Sequence, residues 1–587
     1  MVIAVGIHLV RGAPKSVSRH MARLGAALVA AVALSYLVVG FTYRLGLPLL
    51  KLSNLLAYLA SIVMAAGIGW LFYRFVHAVL SRVARNGRAP GRLRIGVPAI
   101  LALGLAVIIL LPPVFLRKMP IVQQAATTPT TDGVQAAQPN IVFILIDTLR
   151  ADHLPMYGYS RQTAPNLSAL AEQGMTFTSM YAQSSYTRPS VATLFSSLYP
   201  TVHKTNYGRD FLPSSIVTLA ETLHEAGYET FGTSANSNVA PMFGFAQGFD
   251  AFSVSNLKSS LRLTMLGSVI EDAFGDRGFR ILETAIVPRA EVITDDALKW
   301  SARNCKKPCF LYVHYIDPHA PYSPPSPYDQ AFDRQSDPPI RVGGVDPIPL
   351  AKGPKRQAWV GKTLDQYDGE ILYTDHHIGR LLKGLKQFGI LEQALVIVTS
   401  DHGEEFYEHG HQSHGNTLYE EVLRVPFMLS WPSRIPAGST YENVAGLIDV
   451  MPTLLNFLDI APPSGLQGIS FADDLTKAGT AKPEKRFFAQ LITDRLGLEM
   501  VRHRQYKFMR HVHGPREEYE ELYDLQRDPL ERTNMAQQPR APVAVWRKDL
   551  DLFNKYAHQA ASLVPKEQSG QLSPEVERAL RALGYIK

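Results

Sequence analysis

Residues 394–398 form an apolar run that ends in Ser400-Asp401-His402-Gly403, followed by a glycine-punctuated loop carrying His409, His411 and His414. An apolar run of this length, stopped by polar punctuation, reads as a buried strand. The pattern occurs twice more. Residues 141–146 lead into Asp147, and residues 310–313 lead into His314, Asp317 and His319. Fully buried strands belong to mostly parallel sheets covered by helices, and ligands there bind beyond the carboxyl ends of the strands. Three strands delivering carboxylate and imidazole to one edge point to a bound divalent metal. A carboxylate beside an imidazole suits Mn or Zn better than Ca or Mg, which favour all-oxygen shells.

The segments between these runs alternate helix and strand. Residues 166–173 read as a short helix ending at Gly174, and 219–226 as another ending at Gly227, before a strand over 228–233. A long helix is predicted over 365–388, with Ile371, Ile378, Leu381, Leu382 and Leu385 on one face and Gly389 at the C′ position. A further helix opens at Asp449. Residues 499–511 and 519–525 read as a hairpin or small antiparallel sheet. The expected fold class is therefore α/β, a mostly parallel central sheet flanked by helices with a small C-terminal antiparallel subdomain. The expected organisation is a membrane anchor over 1–116, a linker rich in Gln, Ala, Thr and Pro over 117–138, a catalytic domain over 139–480, and a C-terminal subdomain and tail over 481–587.

The anchor rests on three apolar segments, 24–41, 55–73 and 95–116, none of which contains an acidic residue. A membrane-spanning helix needs about 20 apolar residues, so three transmembrane helices are expected. Arg11, Lys15, Arg19 and Arg23 precede the first. Arg74, Arg82, Arg85, Arg88, Arg92 and Arg94 lie between the second and third, whereas only Arg44 and Lys51 lie between the first and second. The positive-inside rule then puts the N-terminus in the cytoplasm and the catalytic domain outside the cytoplasmic membrane. Much of the net charge of +7 sits around these segments, so it reads as topology and not as a nucleic-acid surface. The two cysteines, Cys305 and Cys309, are too few for a closed structural metal site. They suit a short disulfide, with free thiols as the other reading.

Thr187-Arg188-Pro189-Ser190 follows the first strand, and Pro189 fits the first turn of a helix. Thr187 at that N-terminus is either an N-cap or a nucleophile, because free N–H groups and the helix dipole favour an anion there.

These residues together resemble the sulfatase family within the alkaline-phosphatase superfamily. The segment from Asn140 to Asp147 is similar to its opening strand and first metal ligand, and Thr187-Arg188-Pro189-Ser190 to its nucleophile motif. The segments Tyr315 to His319, Thr399 to Glu404 and Leu522 to Pro529 resemble its substrate histidine, second metal segment and C-terminal signature. The departures matter. Sulfatases mature a Cys or Ser to formylglycine, with an Arg after Pro-Ser; this chain has Thr187 and Val191, so no formylglycine is expected. Ser234-Ala235-Asn236-Ser237-Asn238 stands where the family has a Lys-Trp-His segment, and Thr148 where it has a second Asp. A Thr nucleophile with an Asp-His metal pair is similar to the lipoteichoic-acid synthases and phosphoethanolamine transferases of the superfamily.

The resemblance implies that Asp147, Thr187, Asp401 and His402 hold one divalent metal and that Thr187 is the nucleophile. His319 and His414 then contact substrate or protonate the leaving group, with His411 as the runner-up for His414. Arg188 either clamps the anion or lies on the helix surface. His314 reads as a packed strand-end histidine, His409 as solvated loop, and Glu404 and Glu405 as a loop pair able to orient a ligand. The expected substrate is an anionic phosphate ester of an envelope lipid or glycan, cleaved or transferred. A sulfatase working without formylglycine and a non-catalytic glycan-binding domain are the rivals. The topology has a direct check: a reporter fused after Gln138 should be active only outside the cytoplasm, and activity confined to the cytoplasm would refute the anchor.

Overall fold

The structure is a computed structural model that describes residues 138–564, apart from 209, 255–288, 334–352, 477–484, 516–517 and 540. The three apolar N-terminal segments and the linker lie outside the described residues. No helix among the described residues is long and apolar enough to cross a membrane.

The main sheet contains β1 (Ile141–Ile146), β2 (Met175–Phe177), β4 (Glu229–Ser234), β5 (Ala251–Val254), β6 (Cys309–Tyr315), β7 (Leu395–Thr399), β11 (Phe427–Ser430) and β12 (Ser439–Tyr441). Its order is β12-β2-β11-β7-β1-β6-β4-β5. The three strands singled out in the sequence are the centre of this sheet: β1 pairs in parallel with both β6 and β7. Only β11 runs antiparallel to its neighbours. A small sheet joins β3 (Met180–Tyr181), β10 (Arg424–Val425) and β13 (Ala445–Gly446), and a hairpin pairs β8 (Glu405–Phe406) with β9 (Gln412–Ser413).

Side chains alternate across a strand, so the apolar run of β1 supplies both layers. Val142, Ile144 and Ile146 join the core that includes Ile293, Ala297, Ile371, Ile378 and Leu381. Those residues lie on the helices Ala290–Asn304 and Pro354–Gln387. On the other face Phe143 meets Tyr312, which packs edge-on against Phe195 at 4.9 Å between ring centroids. In chain order the helices used below are α1 (Pro165–Glu172), α2 (Thr187–Ser196), α3 (Leu219–Glu225), α4 (Ala290–Asn304), α5 (Pro354–Gln387), α6 (Val450–Phe457) and α7 (Val543–Leu563). The sequence placed the start of α5 near 365, but it begins eleven residues earlier. Gly353 leads into Pro354 at the first helical position, a good helix start despite the polar residues that follow. Gly389 ends α5 with φ 71°, as expected of a C′ glycine. Thr218 and Glu221 close a reciprocal capping box on α3.

The C-terminal antiparallel sheet has four strands, β14 (Phe487–Ile492), β15 (Gly497–His503), β16 (Tyr506–His513) and β17 (Glu520–Asp524), in that order. The stretch from 499 to 511 spans two of these strands, with Arg504 turning the chain between them at φ 56°. Val501, Phe508 and Leu522 of this sheet bury against Trp546 and Leu550 of α7. Cys305 and Cys309 are bridged across the turn from α4 into β6.

Candidate active site

The exits of β1, β6 and β7 converge. Asp147 extends the ladder by one bond, its N–H donating to Tyr315 O at 3.0 Å. The chain then turns sharply at Thr148, a β-branched residue held at φ 57°. Two bonds hold that turn: Thr148 N donates to Asp401 Oδ1 at 3.2 Å, and the Tyr367 hydroxyl donates to Thr148 O at 2.7 Å. Ser400 Oγ accepts from Leu149 N and donates to His402 O, tying the β7 exit to the β1 exit. Asp147, His314 and Asp401 present ligand atoms that all lie within 4.8 Å of one another. Each of the three is fully buried.

This corrects the reading of His314. Its Nε2 lies 3.5 Å from Asp147 Oδ2, so it faces the carboxylates and does not merely pack. Asp147 Oδ1, Asp401 Oδ2 and His314 Nε2 are buried and have no hydrogen-bond partner among the described residues. Buried polar atoms without partners are costly, and one on each member of a carboxylate–imidazole group fits a divalent cation. The electrostatics agree. Burial pushes both carboxyls up; His314, with His319 and His402, pulls Asp147 well below the usual range, whereas the Asp147 charge leaves Asp401 raised.

Thr187 is the first residue of α2, and Tyr186 takes the N-cap position without a side-chain cap. Thr187 is therefore not the N-cap. Its Oγ1 faces His402 Nε2 at 3.2 Å and accepts from Asn236 Nδ2 at 3.5 Å. His402 Nδ1 donates to Gly403 O at 2.9 Å, which leaves Nε2 bare in the neutral ring, 3.3 Å from Asp401 Oδ2. Burial lowers the pKa of His402, favouring that neutral, ligating form. Ser190 Oγ donates to Asp401 O at 2.6 Å, fixing the first turn of α2 against the β7 exit. Asn236 was not identified from the sequence. It follows β4, and its Nδ2 donates to Asp147 Oδ2 as well as to Thr187. The signal was available: Ser234-Ala235-Asn236 is a fourth polar strand exit on the same sheet edge.

His402, His414 and His319 form a row of rings, with centroids 4.4 Å apart for the first pair and 5.0 Å for the second. His414 Nδ1 donates to Glu404 Oε1 at 3.0 Å, and the Tyr322 hydroxyl donates to the other oxygen at 2.9 Å. Burial lowers the His414 pKa, but Glu404 more than offsets it, so His414 is raised. His319 Nδ1 donates to Ala320 O at 2.6 Å, which turns Nε2 away from that bond. The runner-up His411 is exposed; its N–H donates to Glu405 Oε1.

Two further expectations change. Arg188 is fully buried and not on the helix surface; it donates to Gly208 O and Asp210 O and to Asn238 Oδ1, with its guanidinium 3.7 Å from the Phe243 ring centre. His409 is not solvated loop. It pairs with Glu421 at 2.6 Å and stacks on Tyr419 at 3.6 Å, and Glu421 raises its pKa to about 10 against the opposing effect of burial. Glu405, His409 and Glu421 also cluster. Glu405 there accepts from the N–H groups of His409 and His411 and from Thr417 Oγ1, so this group is internally satisfied.

Removing one donor should therefore empty the first cluster. Asp401→Ala and His402→Ala should each lose bound metal while keeping the circular-dichroism spectrum of the native chain, and His314→Ala should weaken retention. Metal analysis that finds full occupancy in the Asp401 and His402 variants would refute the ligand set.

A family model described as sulfatase matches residues 139–460, and one for the C-terminal region of N-sulphoglucosamine sulphohydrolase matches 408–550. An arylsulfatase of Clostridium perfringens is 25% identical over 444 residues, covering 68% of this chain and 90% of the relative. The solved structure of BT4656 in complex with its substrate D-glucosamine-2-N,6-O-disulfate has a TM-score of 0.60 at 20% identity, covering 73% of this chain and all of that one. The phosphonate monoester hydrolase of Agrobacterium radiobacter has a TM-score of 0.56 at 22% identity, covering 72% and 96%. With its strand-exit cluster in place and more than half of its length matched, the chain belongs to the sulfatase family of hydrolases.

Proposed function

We propose that the chain is a metal-dependent ester hydrolase or transferase in which Thr187 is the covalent nucleophile. One observation carries this reading. Thr187 Oγ1 stands at an uncapped helix N-terminus and faces the bare nitrogen of His402 at 3.2 Å, beside the orphaned carboxylate oxygens. Asp147, Asp401 and His402 hold the metal in this reading, with His314 as a further donor. A divalent cation bound there lowers the pKa of the hydroxyl and neutralises charge on the group being transferred.

The protein's own groups do the rest. The N-terminus of α2 offers its positive dipole end to the anionic ester. Asn236 holds Thr187 and Asp147 in a fixed relation. Thr187 Oγ, its proton released to solvent, attacks the ester centre, the bond to the alcohol breaks, and His414 or His319 gives that alcohol its proton. Glu404 keeps His414 oriented and raises its pKa, which favours the protonated form this role uses. Water, or an acceptor alcohol, then frees Thr187.

Threonine favours a phosphate ester. A phospho-threonine can be attacked in turn, whereas a sulfo-threonine has no easy exit, and Thr lacks the second hydroxyl through which a formylglycine hydrate expels sulfate. No formylglycine is required in this scheme. The likeness to an arylsulfatase over 90% of its length favours sulfate as the second reading. The arginine asymmetry around the N-terminal apolar segments supports an enzyme anchored in the cytoplasmic membrane and working outside it, on an ester of an envelope lipid or glycan.

Thr187→Ala should lower turnover of p-nitrophenyl phosphate and p-nitrophenyl sulfate by several orders of magnitude and leave metal content unchanged, because the covalent path is lost but the carboxylates remain. Thr187→Ser should keep part of the activity. A merely structural Thr187 would cost about 1 kcal/mol of stability and little rate. Near-native turnover by the alanine variant would sink the covalent mechanism.

A further inference from the structure

The hairpin β8–β9 begins just after Glu404 and ends just before His414, so it is framed by the pair that faces the centre. At its tip Tyr407 has φ 72°. A bulky aromatic residue adopts that region at a cost, and glycine adopts it freely. Strain of this kind concentrates at functional sites, and here it is held by specific contacts. Tyr407 N donates to His411 O at 2.8 Å, and its hydroxyl donates to Gln412 Oε1 at 3.2 Å. The Arg356 guanidinium lies 4.7 Å from the centre of its ring. Trp359 meets the ring edge-on, at 5.7 Å and 74°.

Trp359 is 41% exposed, which is unusual for an indole with no role. It lies near the start of α5, the helix whose Tyr367 hydroxyl bonds Thr148 O beside Asp147. Eight residues separate Trp359 from Tyr367, about 12 Å along the helix axis. A small monoester at the cluster cannot also touch Trp359; an extended molecule can.

An indole and a phenol set at right angles, with a guanidinium over one of them, have the chemistry that receives a sugar ring. The C–H face stacks on the aromatic surface, and the guanidinium donates to hydroxyl or sulfate oxygens. We propose that Trp359, Tyr407 and Arg356 form a rim subsite for a remote sugar of an oligosaccharide ester, the scissile ester lying at the strand-exit cluster. This choice of an extended glycan substrate rests on the ester-cleaving reading of that cluster. The strain at Tyr407 is then what presents its ring to the ligand.

The test uses the full chain with Trp359→Ala, Arg356→Met and Tyr407→Gly, a sulfated hexasaccharide cut from heparan sulfate as the glycan probe, and p-nitrophenyl phosphate and p-nitrophenyl sulfate as the small esters. Trp359→Ala and Tyr407→Gly should each weaken hexasaccharide affinity about tenfold, with turnover of the small esters unchanged. Arg356→Met should do so less strongly. Calorimetric titration of the hexasaccharide into the Thr187→Ala chain, with and without Trp359→Ala, reads the subsite without turnover. Equal losses in hexasaccharide affinity and in small-ester turnover would mean that the trio only braces the hairpin, and hexasaccharide affinity unchanged by Trp359→Ala would overturn the subsite. A native chain that binds the hexasaccharide through Trp359 but turns over neither ester would instead overturn the ester-cleaving reading.

Discussion

Two carboxylates buried side by side, Asp147 and Asp401, are the constraint around which the catalytic end of the sheet is built. Burying like charges together is unfavourable unless something positive or hydrogen-bonded compensates. Part of the compensation is visible. Asn236 and His314 face Asp147, and the N–H groups of Thr148 and His402 donate to Asp401 Oδ1. What remains uncompensated is one oxygen on each, Asp147 Oδ1 and Asp401 Oδ2. The strained turn at Thr148 and the Ser400 and Ser190 bonds exist to hold these oxygens and the Thr187 hydroxyl on a common centre.

The C-terminal sheet contributes by bracing the loop behind this centre. Lys507 is fully buried, 2.9 Å from Glu531 and 3.1 Å from Glu420. Glu531 in turn accepts from Glu420 N and, through its carbonyl, from His409 Nε2. Buried ion pairs of this kind contribute more to a single geometry than to net stability. They tie the hairpin framed by Glu404 and His414 to the C-terminal sheet.

The middle of the sheet, β7-β1-β6-β4, was legible in the sequence because these strands are buried, and burial on both faces leaves an apolar run with a polar stop. Asp147, Asp401 and His402 were legible for the same reason, standing at such stops, and Thr187 because Pro189 marks the first turn of a helix. His314 was misread because it lies inside the strand, among Tyr312, Val313 and Tyr315, and only the pairing with β1 brings its ring to Asp147. Asn236 was missed because an amide carries no metal preference, and its role depends on β4 lying next to β6. His409 and Arg188 look like solvent-facing residues in sequence. Their partners, Glu421 and Glu531 for one and Gly208, Asp210 and Asn238 for the other, are distant or irregular segments that no local pattern announces.

The central claim is that one divalent cation sits among Asp147, Asp401 and His402, against the Thr187 hydroxyl. Anomalous diffraction from crystals of the Mn- or Zn-loaded protein tests it most directly. The account predicts a single strong peak bonded to those carboxylates, with imidazole nitrogen in its shell and Thr187 Oγ1 at its open side. A peak only at Glu405, His409 and Glu421, or no peak at the strand exits in a chain that turns over ester, would contradict it.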